Sequence, residues 1–471
     1  MSETTLARAD IRPIQDDLIV YNKYDGTVLT RFPQPTPEDV ALDLERAAAA
    51  AKAAGAMPRH ERGRILDTAA ELLSQRADQA ADLIVAEAGK TIRQARKEVS
   101  RAINTLKLSA AETRRNAGEV IPFDSFAGSE NRLGWFTREP LGLIAAITPY
   151  NDALNLVAHK LGPAIASGNT VILKPSQLTP ATAIFLVDLL REAGLPADFI
   201  VVILGNREIG QLAVESKLVR MVSFTGGFAT GRSIAASAGI KRLSMELGGN
   251  APVIVFDDAD ISAAVEASVS GAFWAAGQNC IGAQRILVQK AVFEEFLEQF
   301  VAQTKALVAG DPTDEKTDVG PMISRAAAEE AKRKIDQAVA GGARLLAGGE
   351  LHGSVLTPAV LTGVPRACEA WSEELFAPVV LVESFETQEE AIDLANDSDY
   401  ALQAGVFTRD LTRAFETAKA IDAGGVMIND SSDYRHDAMP FGGSKYGSMG
   451  REGVRFAYEE MTQPKVIAVA S

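Results

Sequence analysis

The run Gly277-Gln278-Asn279-Cys280-Ile281-Gly282 sets a thiol among small and polar neighbours. Such surroundings give a nucleophilic thiolate both access and polarisation. A cysteine without them is usually a buried hydrophobe, and Cys368, in Arg-Ala-Cys-Glu-Ala-Trp, is read that way. In Met245-Glu246-Leu247-Gly248-Gly249-Asn250 a carboxylate precedes paired glycines. It reads either as a solvated turn or as a general base, beside a backbone that substrate and cofactor can approach closely. In Pro149-Tyr150-Asn151 the asparagine either caps a following helix or turns its amide toward a developing oxyanion. The stretch Phe224-Thr225-Gly226-Gly227-Phe228-Ala229-Thr230-Gly231 lacks the GxGxxG spacing, yet a helix starting there would favour a pyrophosphate at its N-terminus.

These groups need elements to hold them. Up to about Pro122 the chain reads mostly as helix: 38–57 and 59–89, parted by Pro58 and closed by Gly89, then an amphipathic stretch over 91–117. From 133 to 256 strand–turn–helix units alternate, with strands at 143–147, 171–173, 200–204, 221–224 and 243–246. Helices are expected over 154–167 and 180–193 and from about Ala229. This is the pattern of a doubly wound parallel sheet, which binds ligands at the carboxyl ends of its strands. After Pro252 a second α/β series runs to about 440: strand 252–256, helix 260–276, strand 285–288, helix 290–308. Turn residues between aromatics make 123–137 an antiparallel excursion, and 465–469 is a terminal strand.

The 471 residues correspond to about three domain-sized units. Lys and Arg total 47 against 62 Asp and Glu, a net charge of -15 that disfavours general nucleic-acid binding. No apolar run approaches the ~18–20 residues of a membrane span. The opening MSETTLARADIRPIQDD has no apolar signal-peptide core. Two cysteines build no disulfide framework, so a cytoplasmic protein is expected.

In order and spacing the motifs resemble the NAD(P)-dependent aldehyde dehydrogenase superfamily over essentially the whole chain. The matching runs are Thr-Pro-Tyr-Asn (148–151), Leu-Lys-Pro-Ser (173–176), Phe-Thr-Gly-Gly (224–227), Glu-Leu-Gly-Gly (246–249), Gly-Gln-Asn-Cys (277–280), Glu-Glu-Leu-Phe-Ala-Pro-Val (373–379) and Pro-Phe-Gly-Gly-Ser-Lys (440–445). The resemblance implies an α/β fold with a Rossmann-like cofactor domain (1–122 and 138–248, with 447–461 returning to it). It further implies an α/β catalytic domain (249–446) and a small β oligomerisation element (123–137 and 462–471). A homo-oligomer, dimer or tetramer, is expected, and no metal.

By the same resemblance Cys280 is the nucleophile, Asn151 and the Cys280 N–H hold the oxyanion, and Glu246 activates water for deacylation. Lys174 would be the ribose-binding lysine, Glu374 would hold the nicotinamide ribose, and Phe376 would pack beside it. Thr148, Pro149, Tyr150, Ser176, Gln177, Gly205, Phe224, Thr225, Gly226, Gly227, Gly231, Leu247 and Gly248 complete the cofactor set. Two positions depart from the family: Gly227 stands where a serine is usual, and Gln177 where NAD-selective members often carry Glu. A neutral Gln177 would not repel a 2′-phosphate, so NAD is expected and NADP is expected to be accepted.

Helical spacing puts Asn155 and His159 on one face, and family position makes that face a tunnel wall. Asn279, Ile281, Arg435 and Phe441 would complete the substrate set. The run Leu154–Lys160 and Arg435 resemble the branch of lactaldehyde, phosphonoacetaldehyde and sulfo-aldehyde dehydrogenases. Succinate-semialdehyde dehydrogenases usually carry arginines at the positions of His159 and Trp274. The expected reaction is therefore oxidation of a short hydroxylated or anionic aldehyde to its acid, with succinate semialdehyde or lactaldehyde as alternatives. A coenzyme A-acylating enzyme would lack Glu246, and a non-catalytic scaffold would have lost Cys280, Asn151 or Glu246.

Overall fold

The computed structural model describes residues 17–115 and 117–470; all but the last residue of the opening stretch read for a signal peptide lies outside them. The described residues begin with a hairpin, β1 (Leu18–Tyr21) and β2 (Val28–Phe32), turned at Gly26 with φ +73°. The helical reading of the first segment passed over it, although Leu-Ile-Val-Tyr followed by Asp25-Gly26 is a strand-and-turn signal. Helix α1 (Pro37–Ala56) is fixed at its start by a reciprocal capping box between Thr36 and Asp39. The expected single helix over 59–89 is two, α2 (Arg59–Gln75) and α3 (Ala77–Ala88), because Arg76 leaves helical geometry at φ -113°, ψ 28°. Gly89 closes α3 in the left-handed region, and α4 (Ile92–Arg115) follows.

After β3 (Gly118–Val120) and β4 (Arg132–Pro140) comes the alternating region. Its elements are β5 (Leu143–Ile147), α5 (Asn155–Ser167), β6 (Thr170–Lys174), α6 (Pro180–Glu192), β7 (Ile200–Val202), α7 (Arg207–Glu215), β8 (Val219–Thr225), α8 (Phe228–Ser237) and β9 (Arg242–Glu246). The strands pair in parallel in the order β9-β8-β5-β6-β7, with Ser448–Met449 added antiparallel at the β9 edge. The order reverses at β5, so the crevice between β5 and β8 opens at their carboxyl ends.

The second sheet centres on β10 (Ala251–Val255), which leads through α9 (Ile261–Phe273) to β11 (Ala283–Gln289). Ala359–Thr362, Val379–Phe385, Gln403–Phe407 and Gly425–Ile428 extend it in parallel, and Arg344–Ala347 closes one edge antiparallel. Both sheets are apolar on both faces, as parallel sheets under helices must be. The last strand, Thr462–Ala470, pairs antiparallel with all of β4, and β3 covers the other side of β4. Val120, Leu133, Trp135, Val466 and Val469 on this three-stranded sheet are exposed.

Helix α4 carries the buried polar residues Gln94, Glu98, Thr105, Ser109 and Glu112 on one side. It can lie close to α5 because Gly162 faces it: a methyl there would fall 2.4 Å from the Ser109 hydroxyl. No helix among the described residues is long and apolar enough to cross a membrane.

Candidate active site

Helix α9 ends in a strained approach to the thiol. Ala275 and Ala276 take left-handed angles (φ 51° and 55°), which cost an L-residue roughly 1–2 kcal/mol each. Gly277 follows at φ +67°, where a side chain would collide with the Ala377 carbonyl. Buried Gln278 anchors the loop, donating to the Ala275 carbonyl and accepting from the Ile323 N–H. Ser432 Oγ donates to the Ile281 carbonyl. From the other side Gly249 meets the loop, and a methyl there would fall 1.9 Å from the Cys280 carbonyl oxygen. The second glycine of Glu-Leu-Gly-Gly thus lets the nucleophile's backbone sit against β9's exit.

Cys280, Asn151 and Arg435 line one cavity of about 580 Å³. Asn151 lies in the turn between β5 and α5, and its side chain makes no hydrogen bond to a described residue. The turn is held from below by Glu98 of α4: Oε1 accepts from the Leu154 and Asn155 N–H groups, and Oε2 from Lys90. Lys90 also pairs with Asp152, next to Asn151. Burial alone would lower the Lys90 pKa, but the two carboxylates outweigh it and raise it.

Glu246 ends β9 at 1% exposure, and neither carboxyl oxygen has a hydrogen-bond partner among the described residues. Burial pushes its pKa well up, and the Glu452 charge adds to the shift. It does not line the cavity surface, but its charge reaches the Cys280 thiol. Burial raises that thiol's pKa; Glu374 raises it further, while Arg435 draws it down.

Glu452 was not found by sequence reasoning. It is buried, accepts from Lys160 Nζ (3.2 Å) and Thr225 Oγ1 (3.0 Å) at Oε1, and from Arg435 Nη2 (2.9 Å) at Oε2. Burial would raise its pKa, but Lys160 and Arg435 prevail and hold it well below the carboxylate range. The two buried glutamates are therefore pushed in opposite directions, Glu452 down and Glu246 up. Divergent environments of this kind separate structural from acid–base roles.

Asn279, Ile281, Arg435 and Phe441 line the cavity. Asn155 and His159 do not: they share a face, but it turns toward α4 and Asp437. Asn155 accepts from Thr105 Oγ1 and donates to Asp437 Oδ1, and His159 Nε2 lies 3.0 Å from the same oxygen. Both are fully enclosed, and burial, reinforced by Arg435, lowers the His159 pKa. Leu156 is the α5 residue on the cavity wall. The wall also receives Lys97, Glu98 and Arg101 from α4, with Lys90, Trp274, Asp430 and Asp433. The i,i+4 spacing of Lys97 and Arg101 was legible, but nothing in the sequence told which face of α4 met the cavity.

The cofactor set gathers at the carboxyl ends of the first sheet. Pro149, Tyr150, Thr225, Gly226, Gly227, Leu247, Gly248, Glu374 and Phe376 line the cavity. Thr148 follows β5, Lys174 ends β6 with Ser176 and exposed Gln177 beyond, and Gly205 follows β7. Phe224 and Gly231 sit beneath: methyls at Gly226 and Gly231 would strike Phe224 and Leu247 at 2.6 and 2.4 Å. Gly210 of α7 accommodates the Lys174 stem, since a methyl there would lie 2.9 Å from its Cδ. Gly227 caps α8 with no side-chain hydrogen bond, and a methyl on it would meet nothing within 4 Å. The free N–H groups of this ten-residue helix suit a pyrophosphate. Glu374 packs over Gly248 and accepts from the Gly249 N–H at 2.9 Å; burial raises its pKa to about 7. Phe376, at φ +47°, meets Tyr150 edge to face. These residues fit a dinucleotide.

The aldehyde dehydrogenase family model matches residues 12–467. Over 469 residues the chain is 55% identical to aspartate-semialdehyde dehydrogenase 1 of Pseudomonas canavaninivorans, covering 100% of this chain and 99% of that one. It is 41% identical to 3-sulfolactaldehyde dehydrogenase of Priestia aryabhattai, covering 94% of each. Glyceraldehyde-3-phosphate dehydrogenase GapN of Methanocaldococcus jannaschii, solved in complex with NADP, superposes with a TM-score of 0.94 at 38% identity, over 97% of this chain and 100% of that one. With the thiol, the amide, the unpaired glutamate and the dinucleotide crevice assembled in one place, the chain belongs to the aldehyde dehydrogenase family.

Proposed function

We propose that the protein oxidises a short, anionic aldehyde to its carboxylic acid with NAD or NADP. The observation that carries this reading is the cavity itself, where Cys280 and Asn151 share walls with Lys97, Arg101 and Arg435. The Cys280 thiolate adds to the carbonyl carbon, and the oxyanion is met by the Asn151 amide and the Cys280 N–H. When bound, NAD(P) accepts the hydride that this carbon releases as the thioester forms. Glu246, once deprotonated, takes a proton from water; the water oxygen attacks the thioester, the C–S bond breaks, and acid and thiol are released. Lys174, Glu374 and the N-terminus of α8 hold the dinucleotide, and neutral Gln177 permits a 2′-phosphate.

Charge selects the aldehyde. Among the described residues Arg435 and Arg101, although ion-paired, each keep a buried Nε–H without a partner, and Lys97 has no ion pair. The similar proteins named above act, by their names, on aspartate semialdehyde, 3-sulfolactaldehyde and glyceraldehyde 3-phosphate, each a short aldehyde with an acid group. The exposed apolar sheet of β3, β4 and Thr462–Ala470 supports assembly into a homo-oligomer.

The test is NAD(P)H formation with succinate semialdehyde, lactaldehyde and hexanal. Succinate semialdehyde should be turned over with the highest kcat/KM of the three, and Cys280→Ala should abolish the reaction. Activity surviving in Cys280→Ala, or hexanal matching succinate semialdehyde, would overturn the reading.

A further inference from the structure

The cavity holds charges of both signs, and they are not equally satisfied. Lys90, Glu98, Arg101, Asp152, Arg435 and Glu452 consume one another in ion pairs beneath or along the wall. Apart from Glu374, held at the Gly249 N–H, what remains on the wall is Lys97, and Asp433 with Asp430 beside it. Lys97 lies over the Trp274 ring, 4.6 Å from its centroid, and makes no ion pair among the described residues. Asp433 also makes none. The two are close enough for the Lys97 charge to act on Asp433, yet farther apart than a salt bridge.

Asp433 is not a solvated loop carboxylate. It is half-buried, and the structure makes room for it: a methyl at Gly271 of α9 would fall 2.8 Å from its Oδ1 and 2.0 Å from the Ser431 hydroxyl. That hydroxyl is itself buried and brings Asp433 no countercharge. The same Gly271 backbone lies near Gly282, two residues beyond the nucleophile, where a methyl would fall 3.3 Å from the Gly271 carbonyl oxygen. An unpaired, half-buried carboxylate is costly, and a ligand cation would relieve it. A purely anionic aldehyde gives Asp433 nothing to pair with and meets its repulsion.

We propose that the substrate carries an ammonium group as well as an acid group, with the ammonium against Asp433 and the acid toward Lys97 and the guanidinium wall. An α-amino-acid semialdehyde places the two groups on one carbon. That matches a cation and an anion that face the same space without touching. The proposal rests on the aldehyde dehydrogenase reading of the preceding subsection and narrows its substrate class.

Aspartate semialdehyde and succinate semialdehyde differ only by the amino group, so their kcat/KM ratio reads its recognition. In the wild type the ratio should be at least about tenfold in favour of aspartate semialdehyde, the worth of one charge-assisted hydrogen bond. Asp433→Asn, which keeps shape and removes charge, should bring the ratio toward one, mainly through KM for aspartate semialdehyde. Asp433→Glu should recover part of it. A wild-type ratio of one or below, or a ratio unmoved in Asp433→Asn, overturns the proposal while leaving the anionic-aldehyde reading intact. Failure of both aldehydes to yield NAD(P)H overturns that reading and the proposal together.

Discussion

Arg435 donates from Nη2 to Oε2 of Glu452 over 2.9 Å, and its guanidinium carbon lies 3.8 Å from the centroid of the Phe441 ring. The pair fixes the cavity's principal cation in place and cancels part of its charge. Lys160 and Thr225 hold the opposite oxygen of the same carboxylate, so Glu452 bridges the first sheet, α5 and the 430s loop.

Arg435→Ala should raise KM for succinate semialdehyde by roughly 10- to 100-fold, the loss of a hydrogen bond to a charged group, and KM for acetaldehyde far less. The same substitution removes a cation that lowers the Cys280 pKa. Labelling of Cys280 by iodoacetamide at pH 8 should therefore slow, and its pH midpoint should move up. Equal KM changes for both aldehydes would remove Arg435 from substrate recognition.

Glu246→Gln separates the two halves of the reaction. Thioester formation does not need the base, so a burst of NAD(P)H approaching one per subunit should remain, while steady turnover falls by about 10²- to 10⁴-fold. Intact mass after the burst should show the acylated chain. Because burial pushes the Glu246 pKa well above the ordinary carboxylate range, wild-type turnover should climb with pH through that raised pKa. Glu246→Gln should lose this climb.

The assembly proposal has its own check. Val466 and Ile467 are exposed on Thr462–Ala470, which lies at the edge of its sheet. Val466→Lys with Ile467→Glu should shift the chain to monomer mass in light scattering with its circular dichroism unchanged. An unchanged mass would exclude this sheet from assembly.

Much of this architecture was legible from local pattern. Strand–turn–helix alternation located the first sheet, and residues at its carboxyl ends, such as Tyr150 and Gly226, meet the cavity because parallel topology puts them there. What escaped was whatever depends on how distant segments pack. Glu452 is one acid in a glycine-rich stretch, and only the fold brings it to Lys160 and Arg435. Periodicity placed Asn155 and His159 together but could not say which neighbour their face would meet; α4 and Asp437 took it, leaving Leu156 to the cavity. The break at Arg76 was missed because both halves of 59–89 keep helical spacing.

Asp433 offers the last prediction, because a recognition group held without a salt-bridge partner among the described residues should cost stability. Burial raises its pKa to about 6, above the ordinary carboxylate value. The native state thus holds the proton more tightly than the unfolded chain, and the penalty grows as pH rises from about 4 to 6 and is complete above that. Two pH units correspond to an upper bound of about 3 kcal/mol, less whatever solvent screening remains at this partly exposed side chain. Asp433→Asn should therefore be more stable than the wild type in urea at pH 8, by about 1–3 kcal/mol, and the advantage should shrink at pH 5. A saturating amino-bearing aldehyde should stabilise the wild type at pH 8 more than it stabilises the variant, since only the wild type gains an ion pair on binding. A variant no more stable than the wild type at pH 8 would mean that Asp433 is satisfied within the protein and is not waiting for a cation.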